Sequence, residues 1–309
     1  MEGSLKEKIS MWVNTIGDRS VKDVRTDFRY ISVDIMSRHL WGDCGELNTL
    51  GSESDREISQ LFVNPQGVYV PAWLIHFPGL TEFIESKFQF LGINPMRDIR
   101  DYARQAFKRY QQLPKEKTEK IQTIGDKLWT QHVSNGGQMT DDQIAAELSD
   151  LFLAGLDTTA DTLTYVLWML SKPEYSKIQE KLRDEVRTIN YHDGIPALAD
   201  TDKLPYLDAV LKETLRLFPI NAGSQYRVSK KPVVIYDLNV PAGTMCDMQA
   251  LTLNRDPEVF ENPDNFEPER WMIPRESQRF KEMNRQLWTF SSGQRMCLGQ
   301  QYSPISAVK

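Results

Sequence analysis

The feature that most limits the possible folds is a run of about thirty residues with no proline and only one glycine, which follows a helix-capping signal and predicts one very long helix. The run begins at Thr140, where Thr140 and Gln143 form a capping box that satisfies two free backbone N–H groups. It continues to Ser171 and is closed by Pro173, because proline cannot continue an α-helix. At 1.5 Å per residue such a helix is about 45 Å long, which is enough to cross a whole domain.

Most of residues 1–220 carry apolar positions at helical spacing. We predict further helices over residues 23–41, 99–110, 116–133, 173–190 and 204–218. After Pro219, short runs of β-type residues occur at 225–228, 233–236 and 244–248, and they are separated by turns. Residues 256–274 are irregular and rich in proline. The predicted fold class is therefore mainly α, with a small β portion late in the chain.

Composition and charge exclude several classes of protein. The chain has 37 Lys and Arg against 43 Asp and Glu and carries no basic cluster, so no nucleic acid is expected as a partner. Its three cysteines, Cys44, Cys246 and Cys297, do not fit a disulfide-stapled secreted domain. We expect no transmembrane span, since the most apolar stretch, residues 68–80, is short and contains two prolines. That stretch fits a buried loop, a membrane-surface segment or a pocket entrance.

The segment richest in chemistry is residues 290–299, Phe-Ser-Ser-Gly-Gln-Arg-Met-Cys-Leu-Gly. Gly293 and Gly299 flank Cys297 and let the backbone approach a bulky planar ligand. Arg295 adds positive charge and can hold a carboxylate by a bidentate pair. A helix starting at Cys297 would stabilise its thiolate. These features favour an axial ligand of haem iron, and the alternative is a buried structural cysteine in a glycine-containing loop.

The centre of the long predicted helix carries small and polar residues within an apolar span. Ala154 and Gly155 remove side-chain bulk, so a flat cofactor and a diatomic ligand could lie against the helix. Asp157 and Thr158 follow, and glycine inside a helix costs about 1 kcal/mol of stability. This combination indicates a site that handles protons and water, and the alternative is a solvated face or a local kink.

A third pattern is a pair of opposite charges on one helix face. Glu213 and Arg216 are three residues apart and can pair directly. Arg270, within Pro268-Glu-Arg-Trp271, could join them across the fold. A buried charge network persists only when it is fully satisfied, so we interpret these three residues as fixing a loop rather than binding substrate.

Four segments, in their order along the chain and at their separations, resemble the cytochrome P450 family of haem-thiolate monooxygenases. They are residues 154–159, the Glu213 and Arg216 pair, residues 268–271 and residues 290–299. The resemblance is closest to the eukaryotic microsomal type, and especially to fungal biosynthetic members, and it covers roughly residues 23–302. It implies a cytochrome P450 fold that is incomplete at the N- and C-termini. It further implies a single truncated domain over residues 1–309. In that domain residues 1–220 are mostly helical, and residues 221–309 hold a small β region, the meander and the haem-thiolate loop.

The resemblance also assigns roles to residues of this sequence. It implies haem as the cofactor, with Cys297 as the axial ligand of the iron. The residues that it places around the haem are Arg227, Phe290, Gly293, Arg295, Cys297 and Gly299, the two arginines as partners of the propionates. The residues that it assigns to proton delivery are Asp157 and Thr158. The residues that it assigns to a structural triad are Glu213, Arg216 and Arg270.

The function implied is insertion of one oxygen atom from O2 into a small lipophilic substrate, in secondary-metabolite biosynthesis. The expected electron donor is NADPH-cytochrome P450 reductase, since the chain has no dinucleotide-binding fingerprint of its own. The family implies the cytosolic face of the endoplasmic reticulum, although its membrane anchor is not found in this sequence. Two alternatives stay open: a catalytically inactive truncated remnant or binding/scaffold fragment, and a haem-dependent isomerase or dehydratase.

Overall fold

The structure, a computed structural model, describes residues 2–18, 23–63, 83, 87, 95–113, 123–192, 195–223 and 225–301. The chain divides into two compact units, residues 1–157 and 158–309. The apolar stretch at 68–80 lies outside the described residues. No helix in the described part of the chain is both long enough and apolar enough to cross a membrane.

The first unit is built from helices. In chain order they are α1 (Glu2–Asp18), α2 (Val24–Trp41), α3 (Glu53–Val63), α4 (Pro95–Gln111), α5 (Ile124–Ser134) and the first half of α6 (Asp141–Ser171). A short 3₁₀ turn, Gly42–Cys44, follows α2. The apolar faces of α2, α4 and α6 pack into one core around Trp41, Phe107 and Phe152, and apolar side chains of α3 and α5 pack against it.

Helix α2 shows how local sequence sets the helix ends in this unit. The Asp23 side chain accepts hydrogen bonds from the backbone N–H groups of Arg25 (3.1 Å) and Thr26 (3.3 Å), which no residue within the helix can pair. At the other end Gly42 has φ 55°, a left-handed conformation that suits glycine and stops the helix. The predicted helix over residues 23–41 is therefore confirmed.

The long helix predicted from the proline-free run is also confirmed as α6, which has 31 residues. Both bonds of its capping box are formed. The Thr140 N–H donates to Gln143 Oε1 at 2.8 Å, and the Gln143 N–H donates to Thr140 Oγ1 at 3.2 Å.

The second unit combines the rest of α6 with shorter helices. These are α7 (Ser176–Val186), α8 (Leu198–Thr201), α9 (Pro205–Leu217), α10 (Ala250–Leu253) and α11 (Gln278–Gln286). Short 3₁₀ turns lie at Pro173–Tyr175, Pro268–Trp271, Gly293–Arg295 and Leu298–Gln301. One apolar cluster surrounds Tyr206, Leu211 and Phe266, and another surrounds Phe260, Trp271 and Met283.

The strands of the second unit form antiparallel pairs. They are β1 (Tyr191–His192) with β2 (Ile195–Pro196), β3 (Arg227–Val228) with β6 (Met245–Cys246), and β4 (Val233–Ile235) with β5 (Leu238–Val240). Arg227 pairs with Cys246, and Val233 pairs with Val240. The predicted fold class, mainly α with a small β portion, is confirmed.

Several element boundaries differ from the sequence predictions. The helix predicted over residues 116–133 is described only from Ile124, because residues 114–122 lie outside the described part. The one predicted over residues 173–190 starts as a 3₁₀ turn and ends at Val186. Helices α1, α3, α8, α10 and α11 do not match any helix predicted from the sequence. The signal for α11 was Ser277, which lies three residues after Pro274 and accepts through its Oγ from the Phe280 N–H at 3.2 Å.

Candidate functional site

The loop that carries Cys297 is closed by its own backbone. The Cys297 N–H donates to the Phe290 carbonyl at 2.9 Å, which ties the end of the loop to its beginning. The turn Gly293–Arg295 precedes the cysteine, and Leu298–Gln301 follows it. Cys297 is a free thiol and is exposed to solvent. The loop is therefore held closed by a backbone hydrogen bond and leaves the thiol of Cys297 accessible to solvent.

Two residues of this loop adopt left-handed backbone conformations. Ser291 has φ 59° and Gly293 has φ 68°. Such a conformation is unfavourable for serine, and strained residues of this kind cluster at functional sites. A Cβ built on Gly293 would meet no atom within 4 Å, whereas one on Gly299 would lie 3.6 Å from the Cys297 Sγ. The loop thus leaves open space at Gly293 and places its second glycine directly beside the thiol.

The other residues expected around the cofactor are also in the second unit. Phe290 is partly buried and packs against the cluster around Tyr206. Arg295 is exposed in the turn Gly293–Arg295. Arg227 is exposed on β3, and its Nη1 donates to the Tyr226 carbonyl at 2.8 Å. An exposed thiol, open space at a glycine and exposed guanidinium groups fit a large planar anionic group such as haem.

The small residues of α6 have separate environments. Ala154 and Thr158 lie one turn apart on an exposed face of the helix. Gly155 points elsewhere, because a Cβ there would lie only 2.6 Å from Cε and Sδ of Met36 on α2. From the sequence, both Ala154 and Gly155 are expected to leave room for a ligand against the helix. In the structure only the Ala154 side is open, while the absence of a side chain at Gly155 lets Met36 pack against the helix.

Asp157 is ion-paired, which the sequence did not reveal. Arg29 Nε on α2 donates to Asp157 Oδ1 at 2.7 Å. The Arg29 side chain is 12% exposed, whereas the Asp157 side chain is 47% exposed. The pair therefore anchors one carboxylate oxygen and leaves the Asp157 side chain about half open to solvent. No short-range signal could predict this partner, because the two residues are 128 positions apart.

Glu213, Arg216 and Arg270 come together in one buried cluster. Glu213 Oε1 accepts from Arg216 Nη2 (2.8 Å) and Arg270 Nε (3.0 Å), and Glu213 Oε2 accepts from Arg216 Nε (2.9 Å). Glu213 and Arg216 side chains are 0% exposed. The sequence missed two further donors to this carboxylate, the Glu267 N–H and the Trp271 Nε1, both at 2.9 Å.

Arg216 also binds the loop that follows α10. Its Nη1 donates to the carbonyls of Asn254 (3.0 Å) and Pro263 (2.6 Å), and its Nη2 donates to the carbonyl of Asn265 (2.9 Å). All of these acceptors are backbone atoms. The buried charges are thus fully paired and hold residues 254–271 against α9, as a satisfied network must to persist in a core.

A family model and similar curated proteins point to the same family. The cytochrome P450 family model matches residues 2–303. Cytochrome P450 3A6 of Oryctolagus cuniculus is 29% identical over 234 residues, which cover 74% of this chain and 44% of the relative. Cytochrome P450 monooxygenase FSL4 of Gibberella zeae is 29% identical over 294 residues, which cover 88% of this chain and 50% of the relative.

A third relative is a mitochondrial protein. The cholesterol side-chain cleavage enzyme of Hypanus americanus is 25% identical over 296 residues, which cover 93% of this chain and 54% of the relative. The chain therefore spans about half the length of the curated relatives that it matches.

Proposed function

The chain belongs to the cytochrome P450 family, and on that premise we propose that it acts as a haem-thiolate monooxygenase that inserts one oxygen atom from O2 into a small lipophilic substrate. The observation that carries the proposal is the free, exposed thiol of Cys297, presented by a loop with left-handed residues at 291 and 293. Bound through the Cys297 thiolate, haem would supply the activation of O2 that this reaction needs.

The residues of the loop bind and orient the cofactor in this proposal. Cys297 provides the iron ligand, and Gly293 leaves room for the macrocycle, since no atom lies near its missing side chain. Arg227 and Arg295 hold the propionates, a role for which the fork of a guanidinium is well suited. Glu213, Arg216 and Arg270 act at a distance by fixing the chain that leads to the loop.

Asp157 and Thr158 deliver protons in this proposal. The Arg29 ion pair fixes the orientation of the Asp157 carboxylate and leaves about half of that side chain open to water. Thr158 is exposed one turn from Ala154, so its hydroxyl can pass a proton along the open face of α6. The carboxylate and the hydroxyl are adjacent in sequence and can exchange protons through water.

The family and one of its relatives support proposals for the electron donor and the pathway. We propose NADPH-cytochrome P450 reductase as the donor. The similarity to a monooxygenase of the fungus Gibberella zeae supports a fungal type of enzyme, and from it we propose a role in secondary-metabolite biosynthesis.

The test is the carbon-monoxide difference spectrum of the reduced, haem-reconstituted chain, compared with Cys297→Ala and with the matched control Cys246→Ala. We expect a strongly red-shifted Soret band in the wild type and in Cys246→Ala, and its loss in Cys297→Ala. A band that survives in Cys297→Ala contradicts the ligand assignment. A wild type that binds no haem favours a chain without catalysis. Turnover that does not depend on NADPH favours an isomerase or dehydratase.

A further inference from the structure

We infer that Asn254 is a positioning residue that fixes the base of the Cys297 loop to the buried Glu213 cluster; the inference builds on the proposed role of Cys297 as the iron ligand. Asn254 follows α10 and is 0% exposed. It lies 43 positions before Cys297 and just before the proline-rich stretch over residues 256–274, and its sequence context predicts no role for it.

The side chain of Asn254 binds the first arm of the Cys297 loop, by which we mean residues 288–290. Its Oδ1 accepts from the Trp288 N–H at 2.8 Å. Its Nδ2 lies 3.4 Å from both the Leu215 carbonyl and the Thr289 Oγ1. Thr289 in turn donates to the same Leu215 carbonyl at 3.1 Å. The amide therefore joins residues 288–289 to the C-terminal end of α9.

The backbone of Asn254 binds the charge cluster. Its carbonyl accepts from Arg216 Nη1 at 3.0 Å, and Arg216 is held by both oxygens of Glu213. One residue thus contacts the cluster through its main chain and the loop through its side chain. On the loop itself, the Trp288 carbonyl accepts from Ser291 N–H at 3.2 Å, and the Cys297 N–H returns to the Phe290 carbonyl. Cys297 is therefore bonded to the same arm that Asn254 holds.

Asparagine suits this position because it offers an acceptor and a donor within one short, neutral side chain. Leucine has a similar size but would leave the Trp288 N–H without its partner in a part-buried environment. Aspartate keeps the acceptor for Trp288 but offers no donor to the Leu215 carbonyl. The two substitutions therefore separate the loop contact from the contact to α9.

The experiment uses amide hydrogen exchange, which reports the loop directly and needs no bound haem. Asn254→Leu is expected to accelerate exchange at Trp288 and Cys297 about five- to tenfold, the effect of losing one hydrogen bond. Asn254→Asp is expected to restore most of the protection at Trp288. The control is Glu185→Gln, which weakens the two bonds that Glu185 accepts from the Tyr206 and Leu207 N–H groups at the start of α9.

A merely structural role is excluded by comparing variants of equal stability. When Asn254→Leu and Glu185→Gln have the same urea midpoint, Glu185→Gln is expected to leave the exchange rates of the Trp288 and Cys297 amides unchanged. Equal acceleration of these amides in both variants overturns the inference. If Asn254→Leu does not fold, native-state amide hydrogen exchange of the wild type, measured at increasing urea concentrations, tests the inference instead. We then expect the amides of Trp288 and Glu267 to open together. Opening of Trp288 while Glu267 stays protected overturns the inference.

The carbon-monoxide difference spectrum of the reconstituted chain adds a second readout. We expect Asn254→Leu to lose part of the red-shifted band at unchanged haem content, and Asn254→Asp to regain it. A wild type without that band refutes the proposed function alone, since the exchange rates still decide whether Asn254 positions the loop.

Discussion

Replacing Glu213 by glutamine tests whether the buried charge cluster stabilises the second unit. The substitution keeps the shape of the side chain but removes its charge and turns one acceptor oxygen into an NH2 donor. The carboxylate accepts two hydrogen bonds at Oε2, from Arg216 and Trp271, and three at Oε1, from Arg216, Arg270 and Glu267. The amide nitrogen is expected at the Oε2 position, where it replaces fewer acceptor contacts.

The size of the effect follows from this geometry. Two hydrogen bonds from Arg216 Nε and Trp271 Nε1 are lost, and a bond to a charged group contributes about 1.5–3 kcal/mol. Arg216, at 0% exposure, also loses the carboxylate that neutralises it. Breaking a buried ion pair on one side costs about 3–5 kcal/mol. We expect the free energy of unfolding to fall by about 3–5 kcal/mol, a large part of the roughly 5–15 kcal/mol of a typical protein.

Urea unfolding followed by far-UV circular dichroism measures this change. With a denaturant slope of roughly 3 kcal/mol per molar, the midpoint is expected to fall by about 1–1.7 M. The matched control is Glu258→Gln at an exposed position, which is expected to shift stability by less than about 0.5 kcal/mol. If Glu213→Gln unfolds within about 0.5 kcal/mol of that control, the cluster does not stabilise this unit and the argument fails.

Three further predictions concern proton delivery, pH and thiol reactivity. Thr158→Ala is expected to divert reducing equivalents to peroxide with haem still bound, while Thr164→Ala on the same helix is not. A peroxide assay measures this diversion, and an unchanged peroxide yield in Thr158→Ala contradicts a role of Thr158 in proton delivery. Burial raises the pKa of the Asp34 carboxyl, so the native state holds this proton more tightly than the unfolded chain and the stability from this group falls as pH rises above about 4. Asp34→Asn is expected to remove that slope from urea midpoints measured against pH, and an unchanged slope contradicts the assignment. Burial also raises the pKa of the Cys44 thiol, so iodoacetamide is expected to modify exposed Cys297 first and to spare it once haem is bound, as mass spectrometry can show. Equal labelling of both cysteines, or no protection by haem, contradicts this order.

Much of the candidate site could be predicted from sequence where its information is local. The Glu213 and Arg216 pair lies on one helix face three residues apart, and the glycines around Cys297 stand within a ten-residue segment. The partners contributed by distant segments could not be predicted. Asn254 is such a residue, because neither its type nor its neighbours distinguish it from any loop asparagine.

Gly155 is a second example of a residue whose distant partner the sequence does not reveal. A glycine in a helix indicates that something approaches the backbone closely, but the sequence does not say what. A ligand groove at Ala154 and Gly155 stays a prediction, and the structure shows in addition that the missing side chain of Gly155 makes room for Met36. Likewise Asp157 gave no sign of Arg29, which reaches it only because α2 packs beside α6.

The sequence by itself determined the two longest helices, α2 and α6, their N-terminal caps and the order of the motifs. The capping box of α6 and the Asp23 cap of α2 act within three residues, so composition and spacing are enough to fix them. Only the tertiary structure decided which side chains meet across the chain: Arg29 with Asp157, and Asn254 with the Cys297 loop. The physical reason is that hydrogen bonds within a helical turn depend on neighbouring residues, whereas contacts between distant segments depend on how the whole core packs.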